Sequence, residues 1–248
     1  MALGDLLLEL TPRAFPGWYQ KLTDHVLAPA HQRTAESAAR RFRGKRILDY
    51  GTGPGTWPVR VLRLEGTLEL HAVDKSDHLL LRAEDNARHA GFRKCILHGL
   101  VEAGAFPWPG QCYDLVVSQF VLGESLPDAA ALVLERFHEL LKPGGECWLI
   151  EARKEASVHD TTILRELRAG SVLSRWVPPR WQLDVVKAVR SRLWSESDLK
   201  RLVEHSPFGG FRELSLLPLR FGSVVVADGA QWLKLRRAEV ETRAIDGG

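Results

Sequence analysis

The chain has few of the features that mark secreted, membrane-spanning or metal-binding proteins. Its three cysteines, Cys95, Cys112 and Cys147, lie far apart and are odd in number. Small apolar filler is therefore a better interpretation than disulfides or metal ligands. No apolar run approaches the ~20 residues that a membrane span needs. Residues 1–10 are apolar but include two acids and no basic region, so they do not resemble a signal peptide.

An excess of charge of one sign is also missing. The 34 lysines and arginines nearly balance the 31 aspartates and glutamates, for a net charge of +3, whereas a dedicated nucleic-acid binder shows a strong basic stripe. The 248 residues, 45% of them hydrophobic, fit a single domain with one elaboration. We therefore expect a cytoplasmic globular protein without a transmembrane segment. Its first residues are interpreted as a short packed helix, with weak peripheral membrane contact as the alternative.

A glycine-rich turn is the most informative feature that is present. Residues 46–55 read RILDYGTGPG, an apolar strand followed by three alternating glycines and then a helix. Gly51 and Gly53 allow a sharp turn and let a ligand lie against the main chain. The helix after Gly55 points its free N–H groups at the same space. A second strand ends at Asp74, and an acid at that place hydrogen-bonds a ribose in doubly wound sheets.

The glycine spacing favours one class of nucleotide ligand. A dinucleotide-binding fingerprint needs glycine at the position that Thr56 occupies. The carboxylate of Asp49 would repel a pyrophosphate but suits a cationic amino group. The pattern resembles the first motif of the class I S-adenosylmethionine (SAM)-dependent methyltransferases. On its own it also fits an ordinary strand-to-helix loop, so the later segments have to decide.

Three later segments have the order that is typical of this family. Residues 113–122, YDLVVSQFVL, resemble its fourth strand, in which an aromatic residue and an aspartate lead into a buried apolar run. Residues 140–145, LLKPGG, end a helix, because glycine and proline stop it. Residues 146–151, ECWLIE, resemble the fifth strand. Four motifs in the family's order make the resemblance specific.

The resemblance implies an α/β, Rossmann-like fold. Its sheet would be doubly wound, mostly parallel and seven-stranded, with N-terminal helices and a helical cover inserted after strand five. Residues 1–42 would form an N-terminal helical lid, and residues 43–248 a SAM-binding methyltransferase domain in which 152–193 is a substrate-cover insertion. The alternation of strands and helices over residues 46–151 independently favours a parallel sheet. Strands are expected near 46–50, 69–73, 94–98, 113–118, 146–151, 212–219 and 221–228, and helices near 30–43, 55–64, 77–90, 127–142 and 196–205.

The resemblance also implies which residues bind the cofactor. Asp49 would face the amino group of SAM, and Asp74 would accept hydrogen bonds from the ribose hydroxyls. Lys75 and Ser76 would lie beside the adenine ring. Tyr19 would reach the cofactor's carboxylate, with a core-anchoring role as the alternative. The complete set of expected cofactor-binding residues is Tyr19, Asp49, Gly51, Thr52, Gly53, Gly55, Asp74, Lys75, Ser76, Leu100, Val101, Ser118 and Gln119.

The third strand departs from the family pattern. Family members often have a Gly-Asp pair after it, with the aspartate on the adenine amino group, but here Gly99 is followed by Leu100 and Val101. Adenine is therefore expected to be held by backbone groups and apolar packing, or by Glu102 as a substitute.

The expected chemistry is methyl transfer by in-line displacement, with S-adenosylhomocysteine (SAH) as the product. Positioning alone supplies roughly several kcal/mol of the barrier, so a general base is not required. If one is used, the candidates are Glu124, His159 and Asp160, with a surface role as the alternative for each.

The expected methyl acceptor is a small molecule or a short peptide, modified at O, N or C. The segment 152–193 supports this, because its tryptophans and arginines can clamp a planar or anionic substrate. Modification of RNA or protein, and a non-methylating use of SAM such as cyclisation, remain alternatives. No metal site and no oligomeric state is predicted.

Overall fold

The computed structural model describes residues 27–92, 95–99, 110–122, 127–152, 195–208, 212–213 and 222–228. Within them, strands and helices alternate along the chain. The strands are β1 (Arg46–Tyr50), β2 (Glu69–Asp74), β3 (Cys95–Gly99), β4 (Tyr113–Gln119), β5 (Leu141–Ala152), β6 (Arg212–Glu213) and β7 (Gly222–Asp228). The helices are α1 (Ala28–Arg41), α2 (Thr56–Leu64), α3 (Asp77–His89), α4 (Pro127–Leu140) and α5 (Glu196–Glu204).

The strands form one mixed sheet in the order β3-β2-β1-β4-β5-β7-β6. Strands β1 to β5 pair in parallel, and β7 and then β6 add to the edge in antiparallel fashion. After β3 the chain returns to the other side of β1, so the strand order reverses between β1 and β4. Ligands of doubly wound sheets bind outside the carboxyl ends of the strands at such a reversal. The expected α/β, Rossmann-like fold with a parallel sheet is confirmed.

Helices cover both faces of the sheet, which explains why its central strands are apolar almost throughout. Successive side chains point to opposite faces. Leu48 and Val116 pack with α4 and α5, whereas Ile47 and Val117 pack with α1 and α2. The two helical layers thereby fix the positions at which β1 and β4 end, and with them the loops that follow.

The fifth strand differs from the expected one at its start. It begins at Leu141 rather than near residue 146, because Leu141 already pairs with Tyr113. The next pair joins Leu115 to Glu146, so residues 142–145 form an irregularity inside the strand. Helix α4 accordingly ends before the Lys-Pro-Gly-Gly turn and does not extend into it.

Other expected elements are shorter or lie outside the described residues. Strand β6 covers Arg212–Glu213, and the rest of the expected strand over 212–219 falls outside the described ranges. The same holds for the first 26 residues of the expected lid and for residues 153–193 of the expected cover. Among the helices that the structure describes, none has the length and apolar character to cross a membrane.

Candidate functional site

Two hydrogen bonds fix the turn after β1 to the end of β2. The N–H groups of Gly51 and Thr52 donate to the carbonyl oxygen of Val73 at 2.8 and 2.9 Å. Gly51 has a φ of +74°, and a β-carbon there would lie 2.2 Å from Val121 Cγ2. Both the backbone conformation and the contact with the loop after β4 therefore require glycine.

The other two glycines of this turn have different surroundings. A β-carbon on Gly55 would lie 2.8 Å from Cβ of Ala83, so this glycine lets α3 pack closely. A β-carbon on Gly53 would meet nothing within 4 Å among the described residues. The space beside Gly53 is therefore open to a ligand. Helix α2 begins next to it, at Thr56, with no side-chain cap and no acid in its first turn.

Asp74 connects the glycine turn to α3. Its Oδ2 accepts a hydrogen bond from the N–H of Gly53 at 2.8 Å, and its Oδ1 accepts one from the N–H of Ser76 at 2.9 Å. Ser76 in turn caps α3, because its hydroxyl oxygen accepts from the N–H of Leu79. Burial raises the pKa of Asp74, and the two N–H groups only partly offset this. Each carboxylate oxygen has a second lone pair with which to accept from a ligand.

Asp49, near the end of β1, is a buried acid without a complete set of partners. It is 2% exposed, and neither its Oδ2 nor the hydroxyl oxygen of Thr52 has a hydrogen-bond partner among the residues that the structure describes. Burial raises the pKa of Asp49 to about 7, opposed by Thr52 and reinforced by the charge of Asp74. The Thr52 hydroxyl is therefore close enough to favour the ionised form of Asp49, but the two groups do not form a hydrogen bond of good geometry. An unpaired buried acceptor costs free energy, and a cationic donor from a ligand would remove that cost.

The end of β4 holds two more unpaired side-chain atoms. Ser118 is fully buried, and its hydroxyl has no partner in the described ranges. Gln119 is 8% exposed; its Oε1 accepts from the Thr34 hydroxyl of α1 at 3.2 Å, and its Nε2 has no partner in the same ranges. Phe120 follows with a φ of +60°, and its N–H donates to the carbonyl oxygen of Ile150 at 2.7 Å. The chain therefore turns sharply away at the carboxyl end of β4.

Glu151, at the end of β5, is a buried residue of this edge that sequence reasoning missed. Its Oε1 accepts hydrogen bonds from the N–H groups of Val121 and Leu122 at 3.1 and 2.9 Å. It therefore holds the loop that follows β4, the same loop against which Gly51 packs. The sequence shows that an acid stands at the end of a strand, but it does not show which loop that acid will hold.

His31, on α1, is a second residue that sequence reasoning missed. It is buried, and its Nδ1 has no hydrogen-bond partner in the part of the chain that the structure describes. Burial, helped by the positive charge of Arg60, lowers the pKa of His31 to about 4, so the ring is neutral at neutral pH. The spacing of His31 and Thr34 puts both on one face of a helix, which the sequence could have indicated.

The expected cofactor residues that the structure describes meet at one edge of the sheet. They lie at or just after the carboxyl ends of β1, β2 and β4, on both sides of the strand reversal, and they are Asp49, Gly51, Thr52, Gly53, Gly55, Asp74, Lys75, Ser76, Ser118 and Gln119. Six expected residues lie outside the described ranges, namely Tyr19, Leu100, Val101, Glu124, His159 and Asp160. In the described part of the chain, no group of three or more His, Cys, Asp or Glu side chains is placed to hold a metal ion.

Comparison with known proteins points to one family. The sequence profile described as "Methyltransferase domain" matches residues 19–208, more than half of the chain. The chain is 31% identical over 114 residues to the uncharacterized methyltransferase YdaC of Bacillus subtilis (strain 168), a match that covers 46% of this chain and 60% of that protein. It is 30% identical over 104 residues to the tRNA N(3)-cytidine methyltransferase METTL2 of Gallus gallus, covering 40% of this chain and 28% of that protein. The chain thus spans less than two thirds of the length of both relatives.

A solved structure shares the fold over nearly its whole length. The magnesium protoporphyrin IX methyltransferase ChlM of Synechocystis PCC 6803, crystallised with bound SAH, superimposes with a TM-score of 0.58. The match covers 90% of this chain and 97% of that one at 13% sequence identity. At this identity the likeness establishes the fold and leaves the methyl acceptor open.

Proposed function

This chain belongs to the methyltransferase-domain family of SAM-dependent enzymes, and we propose that it methylates an O or N atom, or a C atom, of a small molecule or short peptide. The observation that best supports a SAM site at the strand reversal is Asp49. It is a buried carboxylate with an unpaired oxygen, and it lies on the strand that leads into the open space beside Gly53. A cationic amino group satisfies such a carboxylate, whereas a phosphate would be repelled by it.

The described residues fit the methionine part of SAM. We assign its amino group to Asp49 and its carboxylate to the uncapped N-terminus of α2, where free N–H groups and the helix dipole favour an anion. Gly51, Thr52, Gly53 and Gly55 supply the main chain along which this part of the cofactor would lie.

The nucleoside part is assigned to the end of β2. Asp74 would accept hydrogen bonds from the ribose hydroxyls with its remaining lone pairs, while Lys75 and Ser76 would lie beside adenine. Leu100 and Val101 would complete the adenine pocket, and Tyr19 would reach the cofactor's carboxylate. These last three assignments rest on the family resemblance alone.

The methyl acceptor is assigned to the end of β4. Bound SAM supplies a methyl group on a sulfonium, and the electron pair of the broken C–S bond stays on sulfur. Ser118 and Gln119 lie across the strand reversal from Asp49, and the family resemblance implies that both bind the cofactor. Gln119 can in addition orient an acceptor there, and orientation alone supplies roughly several kcal/mol of the barrier. His31 is a weak base because its pKa is lowered to about 4. The proposed candidates for a stronger general base stay Glu124, His159 and Asp160.

Composition supports a small acceptor. The nearly balanced charge offers no basic stripe for a nucleic-acid backbone, and the tryptophans and arginines of residues 152–193 suit a cover over a planar or anionic compound. We propose that residues 1–42 act as a lid, that 152–193 is the substrate cover of the 43–248 domain, and that the enzyme works in the cytoplasm.

RNA is a second candidate acceptor, because METTL2, one of the relatives, is a tRNA methyltransferase. Binding to an RNA backbone releases counterions, so it weakens steeply as salt rises. A titration of tRNA binding against salt therefore tests this alternative. Binding that is both tight and steeply salt-dependent would favour RNA over a small molecule.

The main experiment has two steps. Calorimetry with SAH should show one saturable site, and mass spectrometry of small-molecule and RNA fractions incubated with isotope-labelled SAM should then show which fraction gains a methyl group. A protein that folds but does not bind SAH contradicts the proposal. A protein that binds SAH while label is released without reaching any methyl acceptor would favour a non-methylating use of SAM.

A further inference from the structure

Thr34 on α1 is a hydrogen-bonding centre that joins three elements. Its hydroxyl oxygen accepts from the indole N–H of Trp57 on α2 at 2.9 Å. It lies 3.2 Å from Oε1 of Gln119 on β4 and 2.8 Å from the carbonyl oxygen of Ala30 in its own helix. Thr34, Trp57 and Gln119 are all buried. Two packed helices therefore hold one side of the Gln119 amide in place.

The single hydroxyl proton of Thr34 decides how this amide is oriented. The indole N–H of Trp57 can only donate, so it uses a lone pair of the hydroxyl. The carbonyl of Ala30 already accepts the backbone N–H of Thr34 through the i to i−4 pattern of the helix. Oε1 of Gln119, at 3.2 Å, is the acceptor of this proton outside α1, and the Ala30 carbonyl, at 2.8 Å and with a second lone pair, competes for it. With Oε1 turned toward α1, Nε2 is turned away from it, and Nε2 has no partner among the described residues.

Charged and polar groups from four elements are packed around the end of β4: besides the residues of α1 and α2 named next, the neighbouring strands β1 and β5 carry the carboxylates of Asp49 and Glu151. His31 lies one helical turn before Thr34, is neutral, and has an unpaired Nδ1. The guanidinium of Arg60 acts on His31 as a nearby positive charge and donates to Oε1 of Gln32 on α1 at 3.0 Å. A cation is therefore held beside the same face of α1. We call His31, Thr34 and Gln119 the acceptor wall.

We propose that the acceptor wall binds the methyl acceptor through an oxyanion or carbonyl oxygen, with the Nε2 hydrogens of Gln119 as donors and Thr34 as the residue that positions them. The inference rests on the proposed function and names its substrate class: acidic phenols, enols and carboxylic acids. A protonated amine would instead meet unpaired N–H groups of the same polarity. An oxyanion has already lost its proton to solvent and brings the electron pair for the new bond, so its methylation needs no general base.

The test uses 4-nitrophenol as a probe, because the absorbance of its phenolate reports protonation directly. The full-length protein is saturated with SAH and titrated with the probe at several pH values. A donor at Gln119 stabilises the phenolate, so the pKa of the bound probe should fall by about one unit, a tenfold preference for the anion, as expected for one hydrogen bond to a charged group.

Two variants and a matched control locate the effect. Gln119→Glu replaces the donor by a carboxylate of the same shape and should abolish or reverse the shift. Thr34→Val removes the hydrogen bond to the Gln119 amide but leaves the amide itself in place. It should reduce the fall in the pKa of the bound probe, while the probe still binds. Gln111→Glu makes the same chemical change at an exposed residue before β4 and should leave the shift as in the unmodified protein.

Three outcomes would overturn the inference. The first is the absence of saturable probe binding. The second is a rise in the pKa of the bound probe, which would mean that Gln119 presents its carbonyl oxygen. The third is a fall in the pKa of the bound probe that persists in Gln119→Glu. SAH calorimetry on each variant separates this from a failure of the proposed function. If SAH binds and the probe does not respond, only the acceptor assignment fails; if SAH does not bind, the SAM site itself is wrong.

Discussion

Two aspartates at opposite edges of one sheet do similar structural work but differ in their electrostatics. Asp114, at the amino end of β4, accepts from the backbone N–H of Arg46 at 3.0 Å and from Nζ of Lys142 at 2.8 Å. Burial acts against it, but the Lys142 ammonium and the Arg46 N–H hold the pKa of Asp114 below its ordinary value. Asp74, at the carboxyl end of β2, accepts only from neutral N–H groups among its hydrogen-bond partners, and burial raises its pKa.

The same difference extends along both edges. At the amino edge, Glu69 pairs with Arg46 at 3.0 Å and with Nε2 of His71 at 3.1 Å, and Nδ1 of His71 lies 2.7 Å from the hydroxyl of Tyr113. Six buried side-chain atoms in the described residues lack a hydrogen-bond partner. Five lie on α1 or at the ends of β1 and β4; the sixth, Nε of Arg46, is within ion-pair distance of Glu69. Among the described residues, the charged groups of the amino edge are paired with one another, whereas the carboxyl edge keeps unpaired polar atoms, which supports the proposed ligand site there.

The largest expected effect is on cofactor binding by Asp74→Ala, with Asp114→Ala as its matched control. Removing Asp74 takes away the proposed ribose acceptor and releases the N–H groups of Gly53 and Ser76. Since hydrogen bonds to charged groups contribute roughly 1.5–3 kcal/mol each, the affinity for SAH should fall by about a hundredfold or more. Asp114→Ala should lower stability and leave SAH affinity unchanged. Calorimetry on both variants measures this, and equal losses of affinity would contradict the distinction between the edges.

The next effect compares two glycines with positive φ. Gly51→Ala places a β-carbon 2.2 Å from Val121, whereas Gly144→Ala, at φ +79°, meets nothing within 4 Å among the described residues. Both changes have the left-handed conformational cost of about 1–2 kcal/mol, and overpacking adds about 1–3 kcal/mol for Gly51 alone. Urea unfolding should therefore show the larger loss for Gly51→Ala. Equal losses would mean that the loop after β4 yields to the new methyl group.

The third effect is a pH dependence that belongs to Asp49. Its pKa is raised to about 7, and a ligand's ammonium group pairs with the ionised form. SAH affinity should therefore increase as pH rises toward about 7, by up to about tenfold per pH unit, and level off above it. For the protein without ligand, the free energy of unfolding should change in the opposite direction and fall as pH rises. The raised pKa means that protonated Asp49 stabilises the folded state, and this stabilisation is lost as pH rises through the folded-state pKa.

Asp49→Asn should flatten both profiles. His31 does not interfere, since its pKa of about 4 keeps it neutral over this range. Calorimetry and urea unfolding across the range measure the two slopes. An unchanged slope in Asp49→Asn would assign the titration to Asp74, whose pKa is also raised.

The parts of the site that the sequence could predict are those that one short segment encodes. The glycine turn, Asp49 and Asp74 are positioned by strand ends, and strand ends follow from apolar runs and breaker residues. A serine directly before an apolar helical pattern favours an N-cap for the same reason, and the hydroxyl oxygen of Ser76 accepts from the N–H of Leu79. These features need no knowledge of which strands are neighbours.

The parts that could not be predicted depend on contacts between distant segments. Thr34 and Gln119 are 85 residues apart, and nothing local indicates that α1 packs over the end of β4. The early start of β5 likewise depends on Leu141 pairing with Tyr113, which breaks the ladder at Asp114. The helix does stop near this turn, but tertiary pairing decides where the strand begins, because glycine and proline mark a turn without specifying which element resumes.

The smallest effect contrasts two hydroxyl groups, one at each edge. Tyr113→Phe removes the hydroxyl next to Nδ1 of His71 inside a fully buried pair of side chains, so it should cost about 1–2 kcal/mol of unfolding free energy. Ser118→Ala removes a buried hydroxyl that has no partner among the described residues, so it should be neutral or slightly stabilising in the absence of ligand. Neither change should alter the pKa of 4-nitrophenol bound to the SAH-saturated protein, because neither side chain belongs to the acceptor wall. If Ser118→Ala destabilised the free protein as much as Tyr113→Phe, its hydroxyl would have a structural partner, and an unpaired polar atom at this edge would no longer indicate a ligand.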